Sequence, residues 1–174
     1  MEASKFTAVE LLRNGCQVEI RAVRPNDRDA LLAAASRAST QSMFRRFFAA
    51  KRAFSEQEIA FFVNVDFVEH VALVAVTQED GHAAIIGGGR YVVIRPGIAE
   101  VAFVVIDAYQ GQGLGAALMR HLVAIARNAG LKELIAEVLP DNAPMLKVFK
   151  KSGLPLTAQR QAGEVHVVLQ IRSD

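Results

Sequence analysis

The chain has 174 residues, enough to bury one sizeable core, and is expected to form one domain over residues 1–174. Hydrophobic residues make up 52% and charged residues 22%, which excludes a disordered chain. A net charge of +2 is too small to argue for a nucleic-acid partner, and no apolar run approaches the ~20 residues of a membrane-spanning helix.

Cys16 is the only cysteine, so neither an internal disulfide nor a thiolate metal cluster is possible; a buried small side chain in a strand is expected. The opening "MEASKFTAVELL" lacks the basic start and apolar run of a signal peptide, so a soluble cytoplasmic protein is expected. "FTAVELL" and "CQVEIRAVR" flank Asn14-Gly15, a strong hairpin signal. Pro25 stops the second strand, and Asn26 or Asp27 is placed to cap a helix through "RDALLAAAS". In "TQSMFRRFFAA", Met43, Phe44, Phe47 and Phe48 recur at helical spacing as core positions. The basic cluster Arg45, Arg46, Lys51 and Arg52 reads as a solvated helix face. Ser55 and Glu58 form a capping box opening a third helix, with Ile59, Phe62 and Val63 on its apolar side.

From residue 70 the period shortens to that of strands. "HVALVAVT", "AAIIGGGRYVVIR" and "IAEVAFVVI" are strands joined at "QEDGH" and Pro96-Gly97. Three glycines, 87 to 89, inside the second of them predict a bulge or a close backbone approach. A glycine-rich turn then leads to a helix from about Gly113 to Ala129, ended by Gly130. The strand "KELIAEVL", a helix in "PDNAPMLKVFKKSG" and the strand "EVHVVLQIR" complete the chain. The order predicts an α/β (α+β) fold with a mixed, mostly antiparallel central sheet flanked by helices.

The glycine turn is the most informative stretch. As G-x-G-x-x-A (Gly111, Gly113, Ala116) it fits a dinucleotide turn; as Q-x-x-G-x-G (Gln110, Gly113, Gly115) it fits an acyl-coenzyme A site. A tight strand-to-helix turn without a ligand is the plainer alternative. "DAYQ" separates the strand from the glycines, and antiparallel strands precede it; both weigh against a dinucleotide. The amides from Gly111 to Ala116 enter a helix whose first N–H groups lack intrahelical partners, which suits a diphosphate.

Gln110-Gly111-Gln112-Gly113-Leu114-Gly115-Ala116 after a strand resembles the acetyl-CoA signature of the GNAT N-acetyltransferases. "VEIRAVRPND", "SMFRRFF", "AEVAFVV" and "AEVLPDNAPML" resemble the acetyltransferase domain of bacterial protein lysine acetyltransferases that modify acyl-CoA synthetases, over about residues 7 to 153. The resemblance implies the GNAT fold, acetyl-CoA as cosubstrate and a protein partner bearing an acceptor lysine. A small-molecule amine acceptor and a non-catalytic acyl-CoA-binding module are the alternatives. It also implies cofactor contacts from residues 110 to 116, from Asn142, and from backbone groups of Phe103, Val104 and Val105.

Glu100 alternates with Ala102 and Val104 on one strand face, where apolar surroundings would suit a general base. Taken alone, a strand carboxylate paired with Arg90 or Arg95 is the plainer reading; the resemblance implies the catalytic glutamate. Many GNAT enzymes place a tyrosine after the next strand as general acid, where this chain has Phe149, and neither Tyr91 nor Tyr109 replaces it by position. His70, His121 and His166 show no metal-ligand spacing. His121 is expected on a helix surface, His166 in a strand, and His70 near the acceptor cleft.

Overall fold

The computed structural model describes residues 1–47 and 53–171. Phe48, Lys51 and Arg52 therefore lie outside the described residues. The described residues form strands β1 (Thr7–Leu11), β2 (Gln17–Ala22), β3 (His70–Glu79), β4 (His82–Arg95), β5 (Ile98–Val105), β6 (Glu133–Val138), β7 (Leu156–Gln161) and β8 (Glu164–Gln170). Helices α1 (Arg28–Arg37), α2 (Thr40–Phe47) and α3 (Glu56–Val63) lie between β2 and β3. Helix α4 (Leu114–Asn128) follows β5, and α5 (Ala143–Lys150) follows β6. The strands make one sheet in the order β1-β2-β3-β4-β5-β6-β8-β7, antiparallel except for β5 and β6. The expected mixed, mostly antiparallel sheet flanked by helices is what forms.

Alternation along β5 assigns its two faces. Ala99, Val101 and Phe103 are buried on the side of α4 and α5, where Phe103 packs on Phe149 with ring centroids 6.2 Å apart. Glu100, Ala102 and Val104 point to the side of α1–α3. Leu118 and Leu122 of α4, Leu134 of β6, Phe149 of α5 and Leu169 of β8 join one contiguous core. The glycine run works by close approach. A β-carbon on Gly87 would sit 2.9 Å from the Val104 carbonyl oxygen, and one on Gly89 would sit 2.6 Å from the Phe103 ring. A register shift opposite this run, at Ala75/Val76, supplies the expected bulge.

Several local expectations change. The hairpin forms, but its loop runs from Leu12 to Cys16, with Gly15 at φ +85° and Asn14 Oδ1 accepting from the Cys16 amide. Cys16 thus stands half-buried at the end of a turn rather than inside a strand. Asp27 precedes α1 without capping it. Its carboxylate takes a bidentate pair from Arg21 at 2.8 Å and accepts from the Arg24 amide at 2.7 Å. Ser55 and Glu58 form the expected capping box on α3. Met43 is buried and Phe47 half-buried, whereas Phe44 is exposed. Strand β7 had no signal in the sequence, because it lies on the sheet edge with almost every residue exposed.

Candidate active site

The parallel pairing of β5 with β6 stops after three register pairs, the last of which is Glu100 with Ile135. β6 continues along β8 to Val138 while β5 runs on to Val105, so the strands part and the β6 side of β5 beyond Glu100 has no strand partner. A groove of about 570 Å³ opens in the wedge. Residues 101 to 105 of β5, Ala136 to Val138 of β6, the turn before α4 and the first turns of α5 line it. Phe103, Val104, Val105, Gln110, Gly111, Gly113, Leu114, Gly115, Ala116 and Asn142 are thereby brought to one groove.

The turn before α4 presents its backbone. The first helical bond runs from the Ala117 amide to the Gly113 carbonyl. Among the described residues, no backbone amide from Gly111 to Ala116 donates to a protein acceptor. Six successive free amides at the positive end of a 15-residue helix favour an anion. The glycines divide the labour. Gly111 and Gly113 adopt φ of +74° and +95°, with open space where a β-carbon would be. Gly115 instead admits α5, since a β-carbon there would lie 3.3 Å from Val148. Gln112, expected among the cofactor contacts, does not line the groove; its carbonyl accepts from the Arg13 amide of the β1–β2 loop. The Gln110 side chain is a clasp, donating to the Val105 carbonyl at 2.9 Å and to Ser42 at 3.0 Å. Asn142 caps α5 by accepting from the Met145 amide.

Glu100 sits at the apex of the wedge. Register aligns it laterally with Val92 of β4 and His70 of β3, two strand spacings or roughly 10 Å away. Its side chain is exposed, so the apolar surroundings expected around it are absent. Nor is it tied to Arg90 or Arg95: among the described residues no ion pair engages Glu100. Arg90 instead donates to His70 Nε2 at 2.9 Å and to the Phe61 and Phe62 carbonyls at the end of α3. A guanidinium can only donate, so His70 is neutral with its proton on Nδ1. Burial and the Arg90 charge hold His70 down to about 4, against the pull of Asp66. Burial, then the neighbouring Arg46 cation, pushes Arg90 down to about 9.

Arg45 and Arg46 overturn the reading of a solvated face. Both are half-buried and line the groove. Arg45 reaches across it to the Asp141 carbonyl at 3.1 Å, and its Nε is buried without a partner. Arg46 is pushed down by burial and pulled up by the charge of Glu100, so the two side chains are electrostatic neighbours. The alternation of arginine with Met43 and Phe47 was the missed signal, because a guanidinium flanked by large apolar groups on a short helix cannot point only to water.

Tyr109, Tyr91, His166 and His121 are each buried or tied to a partner. Tyr109 donates to Glu79 at 2.6 Å, and that carboxylate raises its hydroxyl to about 12. Tyr91 is buried, so neither tyrosine acts as the acid missing at Phe149. His166 pairs with Glu137 at the groove wall. His121 is not a surface group: it bonds Glu10 at 2.6 Å and packs on Phe6.

An unzipped parallel pair beside a row of free amides is a known arrangement, and the comparisons agree. Residues 31–154 match the Acetyltransferase (GNAT) family. An acetyltransferase of Pseudomonas aeruginosa is 34% identical over 127 residues, 72% of this chain and 68% of that protein. The acetyltransferase Pat of Mycolicibacterium smegmatis is 32% identical over 146 residues; the match covers 82% of this chain but only 42% of that longer protein. Among solved structures, the GNAT domain of S. lividans PAT superposes with a TM-score of 0.85 at 34% identity, covering 94% of this chain and 96% of that one. The chain belongs to the acetyltransferase (GNAT) family, acyltransferases whose cosubstrate is acetyl-CoA.

Proposed function

We propose that this protein transfers acetyl directly from acetyl-CoA to a lysine side chain of a protein, for example an acyl-CoA synthetase, with Glu100 as the base. The observation that carries the reading is the position of Glu100, at the last β5–β6 pair where the groove begins. The free amides of residues 111 to 116 hold the pyrophosphate. Pantetheine runs along the unpaired edge at Phe103, Val104 and Val105, which leaves the thioester beside Glu100. Clasped Gln110 stiffens the turn, and capped Asn142 borders the cofactor from α5.

A lysine of pKa about 10.4 is neutral in roughly one molecule in 2,500 at pH 7, a deficit of about 4.6 kcal/mol. Glu100, directly or through water, takes the ammonium proton. The neutral nitrogen attacks the thioester carbon, the C–N bond forms and the C–S bond breaks. The nitrogen sheds its second proton and coenzyme A leaves as a thiolate that takes one up, so the balance closes. No tyrosine assists that departure. The neighbouring Arg46 cation and the backbone amides of β5 are the positive groups at hand.

A protein acceptor is supported by the likeness to the two Pat proteins and by the exposure of Glu100, which suits a lysine approaching from a surface. The reading sets the chain in the cytoplasm, where acyl-CoA donors are available; no helix among the described residues is long and apolar enough to cross a membrane.

Purified protein incubated with acetyl-CoA and candidate acyl-CoA synthetases, with acetylated lysine read by mass spectrometry, tests the acceptor. Glu100→Gln should lower turnover 10²–10⁴-fold at neutral pH while leaving the thermal shift by acetyl-CoA unchanged. Full turnover in that variant rules out Glu100 as base.

A further inference from the structure

A second cavity, of about 100 Å³, lies on the other side of β5, beneath α1–α3. Its walls are apolar: Ala34 of α1 and Ala38 just beyond its end, Met43 and Phe47 of α2, and Ile59 and Phe62 of α3. Its floor is β4 and β5, where Gly88, the one glycine of the run on this face, carries no side chain to fill it; side chains at Gly87 and Gly89 would point to α4. It shares Arg46, Ala102 and Val104 with the cofactor groove. The two spaces therefore meet at one stretch of β5, beside the apex where Glu100 stands.

We infer that this cavity receives the acyl chain, and that the enzyme accepts short, straight-chain acyl-CoA donors, propionyl to pentanoyl, in addition to acetyl-CoA. The inference rests on the thioester position given under the proposed function. An apolar void of this size holds no well-bonded water, and filling it restores contacts that its lining lacks. One methylene occupies about the volume of one water, ~30 Å³, so the cavity takes about three beyond the acetyl group. The chain is uncharged, because the cavity's arginines are engaged, Arg46 by the charge of Glu100. Arg28 pairs with Glu56, and Arg90 is committed to His70 and the end of α3.

Isothermal titration calorimetry with acetyl-, propionyl-, butyryl-, pentanoyl-, octanoyl- and succinyl-CoA tests this without an acceptor. Kd should tighten about fourfold per methylene, from ~0.8 kcal/mol each, up to butyryl or pentanoyl. It should then weaken for octanoyl and for the charged succinyl chain. Ala34→Leu and Ala38→Leu fill the cavity from α1 and its C-terminal cap. Each should weaken butyryl-CoA at least tenfold and leave acetyl-CoA within twofold. A Kd that only weakens beyond acetyl, a preference for succinyl, or equal losses for all chains in both variants would overturn the inference. The wild-type series reads the cavity even where a filled variant folds poorly. Failure of every thioester to bind would instead sink the cofactor reading itself.

Discussion

Replacing Gly89 with alanine tests how the glycine run couples the sheet to the groove. The added β-carbon would lie 2.6 and 2.8 Å from two ring carbons of Phe103 and 3.0 Å from Leu122 Cδ1. These are not loose ends that can swing away. Phe103 is 5% exposed and packs on Phe149, which is 1% exposed, and Leu122 is fully buried. Overpacking of this kind costs about 1–3 kcal/mol. At about 2 kcal/mol, and roughly 2–4 °C per kcal/mol for a chain of this size, Tm should fall by about 4–8 °C in calorimetry. Because Phe103 also lines the groove, Kd for acetyl-CoA should rise in the same variant. Trimming the ring relieves the clash, so Gly89→Ala with Phe103→Leu should be more stable than the summed single effects by about 1 kcal/mol. An unchanged Tm in the single variant, or strict additivity in the double, would refute the packing argument.

Three further perturbations address single features. The imidazole of His70 is held down to about 4 from 6.5, so it stabilises the fold fully above pH 6.5 and progressively less as pH falls towards 4. About 2 kcal/mol should be lost by pH 5, and urea midpoints of His70→Phe should show a correspondingly shallower pH dependence; parallel curves count against it. Burial pushes the Asp27 carboxyl up, but the Arg21 pair and the Arg24 amide outweigh it and leave it below the usual range. Its contribution is present above that range and lost as pH falls through its folded value. Asp27→Asn should therefore cost about 3 kcal/mol at pH 7 by stranding a buried guanidinium, and the two proteins should converge in acid. Gly113→Ala meets no atom nearer than Arg13 Nε at 4.0 Å, so its penalty is that of φ +95° alone. About 1–2 kcal/mol of stability should go, with weaker acetyl-CoA binding as the amides re-aim; an unaffected Kd would detach the turn from the ligand.

Features carried by neighbouring residues were legible before any coordinates. Ser55 with Glu58, Gly130 after α4, the two-residue turn at Pro96-Gly97 and the parity of Glu100 with Ala102 each depend on a few consecutive positions. Where reading failed, the deciding contact came from another element of the fold. Asp27 looked like a cap because its neighbours are helical, yet Arg21 on β2 claims its carboxylate. His121 sits in a helix whose flank is closed by Glu10 from the first strand. β7 carries no alternation because neither of its faces is buried, and only pairing with β8 makes it a strand.

The amino-acid sequence by itself determined the order of the elements other than β7, the backbone of the glycine turn and the strand face on which Glu100 stands, since all three follow from steric rules acting over a handful of residues. Tertiary structure alone decided that β5 and β6 part after Glu100, that Arg45 bridges the resulting groove, and that a cavity on the far side of β5 meets that groove at Ala102 and Val104. Those are relations between segments dozens of residues apart, set by how helices and strands share one core, and no local pattern encodes where two packed surfaces leave a gap.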